Sequence, residues 1–152
     1  MNIREAAVIV TGSATGVGAA CVRQFAERGA RVAVNYNRSR AEADETADAC
    51  RALGAEVIVV QGDVADDGAC RAMVGAVVDR WGRLDALVNN AAMTVKSDPF
   101  DLETLSARDF QDVFSVNVIG AYQMCRAAIP AMRANGGGAI VNGSSNVAFT
   151  GG

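Results

Sequence analysis

Residues 6–29 read AAVIVTGSATGVGAACVRQFAERG. The first six form a short apolar run with no polar alternation, which suits a strand buried on both faces. Val17, Cys21 and Phe25 follow at helical spacing with Ala20 and Ala26 beside them, and Gly29 is placed as the stop. Gly12, Gly16 and Gly18 stand between the two patterns. Missing β-carbons there allow a tight turn and let backbone N–H groups approach a pyrophosphate at the N-terminus of a helix.

Outward from this unit the strand-then-helix alternation repeats. Residues 31–36 (RVAVNY), 56–61 (EVIVVQ), 84–89 (LDALVN) and 139–142 (AIVN) read as further strands. Ser39-Arg40-Ala41-Glu42 has the pattern of a capping box opening a helix that Gly54 closes. Asp66 or Asp67 caps the next helix, whose Cys70, Met73, Val77 and Trp81 share one stripe. From Ser106 a helix is expected to persist to about Ala134, roughly 40 Å. Its apolar stripe reads Phe110, Val113, Phe114, Asn117, Ala121, Met124, Cys125 and Ala128, and part of it is expected to face a neighbouring subunit. Five strands joined by right-handed helical crossovers predict an α/β fold, a Rossmann-type doubly wound parallel sheet in a single domain over residues 1–152. Ligand is expected beyond the carboxyl ends of strands one and four, where TGSATGVG (11–18) and NNAA (89–92) lie.

Composition narrows the function. With 51% hydrophobic and 20% charged residues and only 2 Pro in 152, the chain is globular rather than disordered. A net charge of -3 leaves no basic surplus for a phosphate backbone, so nucleic acid is not the expected partner. The absence of histidine removes Ser-His-Asp hydrolysis and the H-E-x-x-H zinc helix. Cys21, Cys50, Cys70 and Cys125 lie far apart without C-x-x-C spacing, so no metal site is expected and they read as reduced core residues. No secretory signal pattern opens the sequence and no apolar run reaches the roughly 18 residues of a membrane span, which predicts a cytoplasmic protein.

The glycine pattern T-G-x-x-x-G-x-G, met by Thr11 to Gly18, resembles that of the short-chain dehydrogenase/reductase family of nicotinamide-dependent oxidoreductases. The resemblance continues in order through Asp63-Val64, Asn89-Asn90-Ala91, Asn117 and Ser144-Ser145, with Ala92 where the family often has Gly. It implies cofactor contacts from Gly12, Ser13, Thr15, Gly16, Val17 and Gly18, an adenine contact at Asp63-Val64, and a ribose-lining segment at Asn90-Ala91.

The residues after strand two address which dinucleotide is used. NAD sites generally place Asp or Glu there for the ribose 2'-hydroxyl, whereas this chain has Tyr36-Asn37-Arg38-Ser39. With no carboxylate and a guanidinium able to hold a phosphate by two parallel hydrogen bonds, NADP is favoured over NAD, with Asn37 and Ser39 as further donors.

Reduction of a carbonyl, or oxidation of an alcohol, needs a proton donor and groups that stabilise the developing alkoxide. By resemblance Ser145 is the serine that polarises the carbonyl, and Asn117 the helix asparagine that holds a water. The family's Y-x-x-x-K has no counterpart in residues 1–152, and Tyr122-x-x-x-Arg126 is no substitute because arginine is not a tunable, compact cation. The chain is therefore expected to be the incomplete N-terminal part of a homo-oligomeric NADP-dependent carbonyl reductase or alcohol dehydrogenase, inactive by itself. The alternative is a non-catalytic dinucleotide-binding or protein-interaction module.

Overall fold

The computed structural model describes residues 2–98 and 100–145. Its five strands, β1 (Ala7–Val10), β2 (Arg31–Tyr36), β3 (Val57–Gln61), β4 (Ala86–Asn89) and β5 (Ala139–Asn142), form one parallel sheet in the order β3-β2-β1-β4-β5. The chain winds outward from β1 through β2 to β3, then returns to lay β4 on the other side of β1. This is the reversal at which an open α/β sheet presents a crevice.

Helices cover both faces, so each central strand is apolar on both sides. Val8, Val10, Val32 and Val34 meet Val22 and Ala26 of α1 (Gly16–Glu27) and Ala43, Ala47 and Cys50 of α2 (Arg40–Ala52). Ala7, Ile9, Ala33 and Leu87 meet Met73, Val74 and Val77 of α3 (Asp67–Trp81) and Met124 and Ala128 of α5 (Ala121–Ala134). Asp66 caps α3 by accepting from the Ala69 N–H at 2.7 Å, and Gly82 ends it in the left-handed conformation (φ 72°). Cys21, Cys50, Cys70 and Cys125 are free thiols. Burial, reinforced by Asp67, Asp66 and Asp63, pushes the Cys70 thiol up to about 11. None of the helices among the described residues is long and apolar enough to cross a membrane.

Three local expectations are corrected. In α1 the buried stripe is Gly18, Ala19, Val22 and Ala26, whereas Val17 is 79% exposed and Ala20 is also exposed. The loop delivers α1 with its close-packing glycine inward, which sets the helix phase. Ser39 does precede α2, but its side chain makes no capping hydrogen bond, so the expected box with Glu42 is not formed. Reciprocal capping occurs instead at Ser106 and Asp109, ahead of α4 (Ala107–Phe114).

The long helix runs without a break from Ala107 to Ala134, but residues Ser115–Gly120 form a π-helical segment between α4 and α5. An extra residue in that turn rotates α5 by about 100° relative to the continuation of a regular helix. The expected single stripe is accordingly split. Met124 and Ala128 are fully buried, whereas Phe110 and Phe114 are 60% and 58% exposed.

One buried carboxylate joins the N-terminal ends of β1 and β4. Asp85 accepts from the Ala7 N–H at 2.9 Å and from both Nε and Nη2 of Arg83 at 2.7 and 2.6 Å. Burial alone would raise its pKa, but the Arg83 and Ala7 hydrogen bonds outweigh it and hold the carboxyl below its ordinary value. A depressed carboxylate stabilises the fold above its unfolded pKa near 4 and loses that contribution as pH falls through the folded value. Asp85→Asn is expected to cost about 1–3 kcal/mol at pH 7 in urea unfolding, with the difference from wild type shrinking below about pH 4.

Candidate functional site

Thr11 carries β1 into the glycine loop and ties that loop to the end of β4. Its Oγ1 accepts from the Asn90 and Ala91 N–H groups, each at 3.0 Å. In return Asn90 Nδ2 donates to the Thr11 and Gly12 carbonyls at 2.9 and 3.1 Å. The Gly12 N–H donates to Asn35 Oδ1 on β2 at 2.9 Å, and Asn35 Nδ2 donates to the Gly62 carbonyl at 3.1 Å. One knot of polar groups thus spans β2, β1, β4 and the loop after β3.

Two glycines are forced by this knot. Gly12 has φ +62°, and a β-carbon on it would lie 2.9 Å from Ala91 Cα. A β-carbon on Gly18 would lie 2.5 Å from both Asn90 Nδ2 and the Gly12 carbonyl. The third, Gly16, opens α1 behind Thr15, whose side chain provides no cap, and no acidic residue occupies the first turn. Amides of that turn have no intrahelical acceptor. A helix start without a cap or a carboxylate suits an anion.

A cavity of about 740 Å³ opens beside the loop. Of the residues expected at the site, Gly12, Asn37, Arg38, Asp63, Val64, Asn90 and Ala91 line it together. Asn37 Nδ2 donates to Asp63 Oδ2 at 2.8 Å, and Asp63 Oδ1 accepts from the Ala65 N–H at 2.9 Å. These bonds close one wall. Arg38 projects from it without a side-chain partner among the described residues, whereas Arg40 is tied to Asp44 and Tyr36, whose hydrogen bonds raise its pKa.

Other expected residues stand apart from the lining. Ser13 is fully buried, its hydroxyl donating to the Val10 carbonyl at 2.7 Å and accepting from the Asn35 N–H at 2.9 Å, so its side chain is turned away from any ligand. Thr15, Gly16 and Val17 are exposed at the start of α1, Gly18 is buried beneath them, and Ser39 is exposed at the start of α2. Ser144 and Ser145 follow β5 and are exposed.

Asn117, expected on a buried stripe, is exposed within the π-helical segment. Its hydrogen bonds are nonetheless well defined: Oδ1 accepts from the Met93 N–H at 2.8 Å and Nδ2 donates to the Met93 carbonyl at 3.0 Å. Motif and spacing did not single out Asn35 or the Arg108, Asp112 and Ser115 side of the cavity. Asn35 had a legible signal, a polar residue inside the apolar run of β2, since a buried amide must find partners.

The sheet order, glycine loop and crevice define a dinucleotide-binding type of α/β fold. A family model described as short chain dehydrogenase matches residues 6–152, and the chain belongs to that family. An uncharacterized oxidoreductase of Thermotoga maritima is 38% identical over 152 residues, covering 99% of this chain and 58% of that protein. The 3-oxoacyl-[acyl-carrier-protein] reductase FabG of Staphylococcus aureus is 36% identical over 143 residues, covering 94% of this chain and 57% of that protein. The structure of a double mutant of a Serratia marcescens short-chain dehydrogenase/reductase superposes with a TM-score of 0.89 at 31% identity, covering 100% of this chain and 60% of that one. The chain therefore spans somewhat over half the length of these relatives.

Asn117→Ala removes both bonds to Met93. Amide hydrogen exchange at Met93 is expected to speed up by about tenfold or more, the equivalent of losing hydrogen bonds worth roughly 1–2 kcal/mol, with global unfolding changed far less.

Proposed function

We propose that residues 1–152 are a single dinucleotide-binding domain of an NADP-dependent oxidoreductase that interconverts a carbonyl and a secondary alcohol. The observation that carries this reading is the Arg38 guanidinium on the wall of the cavity, without a side-chain partner among the described residues, at the end of a β2 that offers no carboxylate. A dinucleotide's ribose 2'-phosphate would find there a planar donor pair at a strand end without its own carboxylate, while the Asp63 carboxylate on that wall is held by Asn37.

The pyrophosphate would lie over the first turn of α1, where uncapped amides from Gly16 onward are preorganised. Asp63 keeps lone pairs free for the adenine after accepting from Asn37 and Ala65. The nicotinamide cofactor supplies the hydride when bound. Ser145, beyond the end of β5, orients and polarises the carbonyl, while Asn117 holds the Met93 backbone in place beside the crevice. The S. aureus relative supports a 3-oxoacyl or similar ketone as substrate. By this reading residues 1–152 bind the dinucleotide, and turnover requires a proton donor that Tyr122 and Arg126 do not provide. The exposed Phe110, Phe114, Val118 and Tyr122 support a homo-oligomer.

Titration of NADPH and NADH fluorescence tests the reading. Arg38→Ala is expected to weaken NADPH about ten- to hundredfold, as for the loss of one or two charge-assisted hydrogen bonds, and NADH less than about twofold. Equal losses for both dinucleotides would overturn the 2'-phosphate role, and no binding of either would overturn the function.

A further inference from the structure

The second wall of the cavity is helical. Arg108, Asp112, Ser115 and Val116 line it at i, i+4, i+7 and i+8, a single face of the helical run. The helical run is joined to the loop after β3, where Gln123 Nε2 donates to the Val64 carbonyl at 2.8 Å and Gly120 packs against the Val64 side chain, so this wall adjoins the Asp63 and Val64 part of the cavity. Val116 packs against the core at its foot. Arg108 lies eight residues earlier, about 12 Å up the helix, at the exposed rim. It is also nine residues, about 14 Å along the helical run, from Asn117, whose side chain holds the Met93 backbone. The rim therefore belongs to the opposite end of the cavity from the Met93 segment.

Arg108 is held in place. Its Nε donates to Asp112, with 2.8 and 3.0 Å to the two carboxylate oxygens, and both terminal nitrogens remain without a partner among the described residues. An Arg–Asp pair has no net charge, and its carboxylate would repel a phosphate laid beside it. A neutral planar heterocycle fits the pair better. It can stack on the guanidinium face while its edge donates an exocyclic amino group to Asp112.

We propose that Arg108, positioned by Asp112, covers the adenine ring of the bound dinucleotide and sets affinity for the adenosine moiety, a role that rests on the chain being a dinucleotide binder. Arg38 and Arg108 then divide the work: the unpaired guanidinium takes the 2'-phosphate and the paired one takes the base. This division predicts a pattern that neither a phosphate contact nor a solvated surface charge would produce.

Calorimetric titration of NADPH, NADH and ADP-ribose into wild type, Arg108→Ala, Arg108→Lys and Asp112→Asn distinguishes these cases. Arg108→Ala is expected to weaken all three ligands alike, by about three- to fivefold, as befits one exposed cation–π contact. Arg108→Lys should recover only part of the loss because an ammonium has no planar face, and Asp112→Asn should fall between. A loss confined to NADPH would make Arg108 a phosphate contact and overturn the proposal. So would affinities within twofold of wild type for all three. Failure of wild type to bind either dinucleotide would instead overturn the dinucleotide reading, and the adenine role with it.

Discussion

The hydroxyl of Thr11 and the amide of Asn90 hold the crevice open. Where β1 and β4 end side by side, their backbones diverge and lose the sheet ladder that satisfied them. Thr11 Oγ1 takes two of the released N–H groups and Asn90 Nδ2 covers two of the released carbonyls. Left unpaired in a part-buried site, each such group would cost about 1–3 kcal/mol. With those demands met inside the protein, the amides at the start of α1 stay available. The close approach of Asn90 in turn leaves no room for a β-carbon at Gly18, so the glycine spacing is a consequence of this knot.

Asn35 extends the same logic sideways. Its Oδ1 accepts from the Gly12 N–H while its Nδ2 reaches the Gly62 carbonyl, so the glycine loop is registered against the loop that carries Asp63 and Val64. Asn37 and Asp63 then close that wall by pairing with each other. Arg38 stands on the same wall without a side-chain partner among the described residues, at the end of a β2 that offers no carboxylate.

The π-helical segment shapes the other wall. An extra residue in the turn rotates α4 relative to α5, so α5 buries Met124 and Ala128 against the sheet while α4 has no buried residue. Within this segment Asn117 reaches the Met93 backbone, while Ser115 and Val116 continue the face of α4 that lines the cavity. Phe110 and Phe114 are left on an exposed face for the same reason.

The doubly wound parallel sheet and the position of the crevice were legible in the sequence, because buried parallel strands read as apolar runs and glycines punctuate the turns between them. The lining residues Gly12, Asn37, Arg38, Asn90 and Ala91 were legible too, since each sits just past a strand end, where an α/β sheet exposes its ligand face, and Asp63 and Val64 were legible through the family resemblance. The phase of α1, the inward turn of Ser13 and the rotation at Ser115–Gly120 depend on contacts between elements far apart in the chain, and local periodicity does not carry them. Arg108 and Asp112 belong with these. Along the sequence they are an ordinary i, i+4 surface pair, and only the packing of the helical run against the loop after β3 makes them a wall of the cavity.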